Sequence, residues 1–250
     1  MNILLADSLC AEVSGEPLPY IPRYFLSGLS VAVGDYTDAA EKERALVGTF
    51  GSSQWLWSDN DEIRFRESDQ RLCSFSLTVP EEPVANPSAC ERWLRAPVLR
   101  GSLLADGNQD FAMPPAKFRW VDEKGTHLVC LDHQEVRPEA ERSVLFIAPD
   151  VYLLIADGRT VGWMLKNPAA YLTNSWDHSG NTPVEEETHL LLKDYLSATE
   201  GSALESLQNG NEAACQDLRQ LEERILARTD DRARRSVLGE AVRRLAEDWC

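Results

Sequence analysis

The spacing of apolar residues along the chain changes near residue 167. Before that point, short apolar runs alternate with polar residues at a period of two, and turn residues separate the runs, which is typical of β-strands in hairpins. After about residue 183, apolar residues recur every three or four positions, which predicts amphipathic helices. The two periods in succession predict an α+β fold.

The hairpin signals are clearest between residues 117 and 166. Asp157-Gly158 separates two apolar runs, and this dipeptide strongly favours a tight hairpin turn. Asp122 to Gly125 and Pro149-Asp150 separate further pairs of runs. Together with alternating segments at 54–58, 62–67 and 71–79, they predict an antiparallel β-rich domain of at least seven strands over residues 1–167. Its sheet would be strongly bent, a sandwich or a partly closed barrel.

The polar composition of residues 168–182 predicts a linker. The apolar periodicity of residues 183–250 predicts a three-helix segment packed on the sheet. Thr182-Pro183 followed by three glutamates is a typical helix start, since carboxylates in a first turn favour the positive end of the helix dipole. Asn211 and Thr229 are the predicted caps of the second and third helices.

Charge is unevenly distributed along these helices. Residues 185–223 carry 10 acidic and 2 basic side chains, whereas residues 224–244 carry 3 acidic and 7 basic ones. A helical hairpin would bring the two blocks together, so we expect this pattern to serve intramolecular charge pairing.

The formal net charge of the chain is −16. This charge limits the classes of molecule that the protein is expected to bind. Such a charge would repel the phosphate backbone that supplies most nucleic-acid affinity, so direct nucleic-acid binding is disfavoured. No apolar run reaches the roughly 18 residues of a membrane span, and we expect no membrane partner. The first residues lack the basic region of a signal peptide, which predicts a cytoplasmic protein.

The cysteines show no CxxC pair. They are Cys10, Cys73, Cys90, Cys130, Cys215 and Cys250. A chain of this length can build an ordinary hydrophobic core and needs no disulfide scaffold, so all six are predicted to be free thiols.

The sequence contains no motif that strongly predicts a metal or cofactor site. Cys130 and His133, with His127 nearby, have residue types that zinc prefers, but strand alternation places them on different faces. Glu186 and His189 match half of a di-metal carboxylate site, and no second half follows. Phosphate-binding glycine motifs and the G-x-S-x-G nucleophile motif do not occur. We therefore expect no metal and no cofactor.

The leading enzymatic hypothesis lies at the junction between sheet and helices. Asp177 and His178 are in the polar linker, where loops often carry function, and Glu186 and His189 follow in the first helix. Acidic and imidazole groups gathered there would serve a small-molecule-binding protein or a hydrolase.

A non-enzymatic role in protein binding ranks above that hypothesis. By analogy of class, an acidic inhibitor such as a bacterial immunity protein neutralises a basic partner, for example a toxin or a nucleic-acid-binding protein, by occlusion. Asp59, Asp61 and Glu62, together with Glu185, Glu186 and Glu187, would steer that partner. A third alternative is a structural subunit of a larger assembly, which predicts an exposed apolar patch on the C-terminal helices.

Overall fold

The computed structural model describes residues 1–6, 9–52, 60–134, 136–137, 139–176, 182–227 and 230–250. Its strands are β1 (Asn2–Ala6), β2 (Leu9–Ser14), β3 (Arg23–Phe25), β4 (Ser30–Val33), β5 (Thr49–Ser52), β6 (Glu62–Arg66), β7 (Leu72–Thr78), β8 (Glu82–Pro83), β9 (Val98–Arg100), β10 (Ser102–Ala105), β11 (Phe118–Val121), β12 (His127–Leu131), β13 (Arg142–Ala148), β14 (Val151–Ala156) and β15 (Arg159–Lys166). Its helices are α1 (Ala39–Ala45), α2 (Pro87–Glu91), α3 (Glu186–Ala198), α4 (Gly201–Gln208), α5 (Glu212–Leu226) and α6 (Arg232–Trp249), with short 3-10 helices at Trp93–Arg95 and Pro168–Tyr171.

The predicted α+β class is confirmed, with the strands divided between two sheets. The larger, mixed sheet has the order β10-β2-β1-β15-β12-β11-β8, and β14, β13 and β9 continue it from the other edge of β15. The smaller sheet is antiparallel, with the order β3-β4-β7-β6-β5. Three parallel pairs, β1 with β15, β8 with β11 and β9 with β13, join strands far apart in the chain. The short spacing of strands in hairpins does not predict parallel pairs between strands that lie far apart in the chain.

The predicted hairpins of the large sheet form where the turn residues lie. Asp157 and Gly158 join β14 to β15 with φ angles of 49° and 75°. Two successive positive φ angles match the right-handed twist of the strands, and glycine adopts them without steric cost. Asp150 (φ 56°) and Gly125 (φ 69°) make the β13–β14 and β11–β12 turns. The predicted strand at 54–58 lies outside the described residues.

The described residues of the C-terminal segment, 182–227 and 230–250, form four helices where three were predicted. The additional helix is α4, which begins at Gly201. The break follows Ala198, where the buried guanidinium of Arg119 donates to the carbonyl oxygen of Leu196 and to Thr199 Oγ1. This contact satisfies the carbonyl group of Leu196 near the end of α3 and favours termination of the helix there. Thr229, the predicted cap of the last helix, lies outside the described residues.

One cluster of buried apolar side chains joins the sheets and the helices. Phe65 and Leu77 of the small sheet, Leu165 of the large sheet, and Leu191 and Leu238 of the helices belong to one cluster of buried side chains. Burial of this apolar surface is the main stabilising term. The predicted domain boundaries at 167 and 183 stay a prediction. No helix within the described ranges is long and apolar enough to cross a bilayer.

The charge blocks of the helices meet as predicted. Ion pairs join the acidic block to the basic block between different helices: Arg224 with Asp194 (2.7 Å), Arg235 with Glu187 (3.3 Å) and Arg243 with Glu222 (3.2 Å). The charge asymmetry of this segment therefore serves packing within the molecule.

The free-thiol prediction is wrong for two of the six cysteines. Cys215 and Cys250 form a disulfide across a Cα–Cα distance of 5.7 Å. The antiparallel packing of α5 and α6 brings the start of one helix beside the end of the other. The remaining cysteines, Cys10, Cys73, Cys90 and Cys130, are free.

Candidate functional site

Two of the carboxylates predicted to steer a partner are buried. Asp61 is 2 % exposed, and Glu62 is buried at the start of β6, where it forms an ion pair with Lys42 at 3.2 Å. Neither presents its charge at the molecular surface. Asp59, the third member of this predicted group, lies outside the described residues.

The acidic residues at the start of α3 divide into exposed and paired ones. Glu185 and Glu186 are exposed, whereas Glu187 is half-buried and paired with Arg235. A patch around Glu185 and Glu186 therefore remains on the surface.

The predicted junction site is only partly described. Asp177 and His178 lie outside the described residues. His189 is buried beneath the β11–β12 turn, and this burial lowers the pKa of its imidazole. Glu186, one turn earlier, is exposed, so the two side chains do not face a common site. Over the described ranges, no group of three or more side chains could hold a metal ion.

Asp61 instead lines a cavity of about 310 Å³ beside β15, which we call the fork cavity. Its lining residues are Leu4, Leu5, Ala6, Asp61, residues 112–117, Asp132, His133, Leu153, Arg159, Thr160, Val161, Gly162 and Trp163. The volume is at the lower end of the range for small-molecule sites, which is about 300–1,000 Å³.

The cavity exists because two strands share one edge of β15. β12 pairs with the later half of β15, from Gly162 onward, while β1 pairs in parallel at Arg159. Neither neighbour pairs with Thr160 between these points, and residues from β1 and from the end of β12 line the cavity there. On the opposite edge, Val161 is the additional residue of a β-bulge, since Leu154 pairs with Gly162 and Ile155 with Thr160. Bulges of this kind bend a strand and often occur beside functional sites.

Gly162 is required at this bulge. Its φ is 149°, and a Cβ at this position would lie 2.1 Å from the carbonyl oxygen of Cys130 on β12. The close approach of the two backbones holds the floor of the cavity in place.

Asp61 is positioned by the small sheet and by the 112–117 segment. Its N–H donates to the carbonyl oxygen of Met113 at 2.8 Å, and its Oδ1 accepts from the N–H of Thr78 at 2.7 Å. The segment is tied down a second time, since the N–H of Met113 donates to Ser52 Oγ at 3.2 Å. The wall of the cavity is therefore fixed to β5 and β6.

The two carboxylates of the cavity ionise less readily than exposed ones. Burial raises the pKa of Asp61 to about 7, against the hydrogen bond from Thr78, and the charge of Asp132 raises it further. Burial also raises the pKa of Asp132, although the charges of His133 and Lys117 oppose this effect. Asp61 can therefore exist as the acid or as the carboxylate near neutral pH, and it can donate or accept hydrogen bonds accordingly.

Two further polar groups of the cavity have no hydrogen-bond partner among the described residues. They are Thr160 Oγ1 and Trp163 Nε1, on side chains that are 7 % and 2 % exposed. Buried polar atoms in folded proteins nearly always have a partner, because an unsatisfied one costs about 1–3 kcal/mol. A cavity beside such atoms is able to accept a polar ligand.

Basic side chains surround the cavity nearer the surface. Lys117, His133 and Arg159 are exposed, in contrast to the buried Asp61, Thr160 and Trp163. The site thus combines a buried, hydrogen-bonding floor with exposed basic side chains at its rim.

Sequence reasoning missed most of this site. His133 was considered only with Cys130 and His127, yet Cys130 is fully buried and His127 Nδ1 lies 3.1 Å from Asp122 Oδ2. The available signal was Gly162 within an apolar strand, since an isolated glycine there indicates a bulge or a close backbone approach.

Comparison of the chain with models of protein families, with curated proteins and with solved structures gave no match. The fork cavity is consequently the main basis for a functional proposal.

Proposed function

We propose that this protein binds a small polar molecule in the fork cavity. The observation that carries the proposal is the pair of unpartnered polar atoms, Thr160 Oγ1 and Trp163 Nε1, on buried residues that line a cavity of ligand size. A ligand that bonds to both atoms would offset the cost of their burial. Apolar side chains on the same walls, among them Leu5 and Leu153, would contribute contact area.

A thermal-shift screen with small polar compounds tests the proposal. A ligand that binds only the folded state stabilises it, by about 2.7 kcal/mol at a hundredfold excess over Kd. Hits are then measured with Thr160→Val, which keeps the shape of the side chain and removes its hydroxyl. We expect the shift in Tm to fall in this variant. Equal shifts in both proteins for every hit would place the binding elsewhere and contradict the proposal.

Protein binding through acidic residues is the second candidate, and the net charge of −16 supports it. The carboxylates available for steering are fewer than predicted, since Asp61 and Glu62 are buried and Glu187 is paired. Among the described residues predicted for an acidic inhibitor, comparable to an immunity protein, Glu185 and Glu186 remain exposed for this role. Steering by these charges predicts an association rate that falls steeply with salt, and a partner captured equally well at low and moderate salt would contradict it.

A structural subunit receives little support from the described surface. The exposed large apolar side chains of the C-terminal helices are Leu226 and Trp249. They lie at opposite ends of the α5–α6 hairpin and form no continuous patch.

The cytoplasmic location expected from the first residues stays a prediction. The disulfide between Cys215 and Cys250 argues against it, because the cytosol keeps most thiols reduced. Labelling of free thiols in native lysate decides the question: labelling of these two cysteines supports a cytoplasmic protein, and their protection supports an oxidising compartment.

A further inference from the structure

We propose that the fork cavity selects a neutral carboxamide or lactam, a group that carries a hydrogen-bond acceptor beside a donor. The inference rests on the proposed function and specifies the chemistry of its ligand. It follows from the bonding capacities of the three buried polar side chains that line the cavity.

Trp163 determines that the ligand must carry an acceptor. The indole Nε1–H only donates, and it has no partner among the described residues. An ammonium group, which has donors and no acceptor, cannot satisfy it. A carbonyl oxygen can.

Asp61, in its ionised form, favours a ligand that also carries a donor. When ionised, its carboxylate only accepts, and it has capacity beyond the bond from the N–H of Thr78. A carboxylate ligand has no donor and would place its own negative charge beside ionised Asp61. The amide N–H₂ supplies the donor without that charge.

Thr160 accommodates either end of the amide. Its hydroxyl donates one hydrogen bond and accepts others, and its Oγ1 is unpartnered among the described residues. The apolar walls formed by Leu5, Leu153 and Met113 suit an uncharged body attached to the amide. An aromatic carboxamide combines both features.

Three probes of nearly equal shape distinguish an amide, a carboxylate and an ammonium ligand. They are benzamide, benzoate and benzylamine. Each is titrated into the full chain at pH 8, where Asp61 is ionised, and binding is followed by calorimetry and by ligand-observed NMR. We expect benzamide to bind at least tenfold more tightly than benzoate or benzylamine. Fragments of this size bind weakly, with Kd values on the order of millimolar, so the ratio of affinities is the measured quantity.

Two variants test the atoms involved. Trp163→Phe removes Nε1–H and keeps an aromatic ring, and we expect it to weaken benzamide binding by about tenfold, as the loss of one hydrogen bond predicts. Trp93→Phe is the matched control, because Trp93 is buried in the separate cluster on the other face of the large sheet. Should Trp163→Phe fail to fold, Thr160→Val tests the same cavity with a smaller change.

The outcomes separate the inference from the proposed function. Benzoate or benzylamine binding as tightly as benzamide, with sensitivity to Thr160→Val, would overturn the amide inference and leave ligand binding in place. Hits from the screen that depend on Thr160 but lack an amide would do the same. No binding by any probe or screened compound would overturn both proposals, and water would then be the occupant of the cavity.

Discussion

Replacing Asp61 with asparagine tests whether the fork cavity holds a carboxylate that is difficult to ionise. The pKa of Asp61 is raised from its ordinary value of 3.8 to about 7 in the folded protein, mainly through burial. One pKa unit corresponds to about 1.4 kcal/mol. Ionised Asp61 therefore reduces the free energy of unfolding by about 4 kcal/mol as an upper limit. An asparagine at this position would have no such penalty, and its Oδ1 could still accept from the N–H of Thr78.

The direction in which stability changes with pH follows from the number of protons that the folded and unfolded states bind. Between pH 4 and pH 7 the folded state holds the Asp61 proton and the unfolded state has released it, so stability falls as pH rises. Above pH 7 both states are ionised at this group, and the loss is complete. The stability of Asp61→Asn relative to the natural protein is thus expected to increase by about 3 kcal/mol between pH 5 and pH 8.

Urea unfolding of both proteins at pH 5, 6, 7 and 8 measures this difference. Asp69→Asn is the matched control, because Asp69 is exposed beside Arg66 and the hydrogen bond from that guanidinium lowers its pKa. The relative stability of this control should not increase with pH. A constant difference between the natural protein and Asp61→Asn across the whole range would refute the assigned pKa of Asp61.

Three further changes probe the fold. Gly162→Ala should reduce the free energy of unfolding by about 3 kcal/mol or more, because its Cβ would clash with the β12 backbone at 2.1 Å; an unchanged urea midpoint would contradict the bulge geometry. Cys250→Ser should cost about 3–4 kcal/mol by opening the bond to Cys215, and the difference should vanish in a reducing agent. Asn211→Ala should cost about 1 kcal/mol, since the side chain caps α5, whereas Asn209→Ala should cost less; equal losses would argue against the cap.

Several features of this protein were readable from local signals. The change of period near residue 167 indicated strands followed by helices, and Asp157-Gly158 and Asn211 marked a hairpin and a helix start that the structure contains. Periodicity, turn preference and capping act within a few residues, so they are visible in a single chain. The ion pairs between the helices were also foreseeable, because two oppositely charged blocks follow one another along the chain.

The candidate site was not readable in this way. Asp61 precedes a strand of the small sheet, Asp132 follows β12, and Thr160 and Trp163 belong to β15. The pairing of β15 with both β1 and β12 places Asp132, Thr160 and Trp163 at one cavity, and the hydrogen bond to Met113 places Asp61 there. Tertiary packing also buries Asp61 and joins Cys215 to Cys250. Such contacts depend on which distant segments pack together. Local propensity does not specify that choice, and it is made by the burial of a shared core.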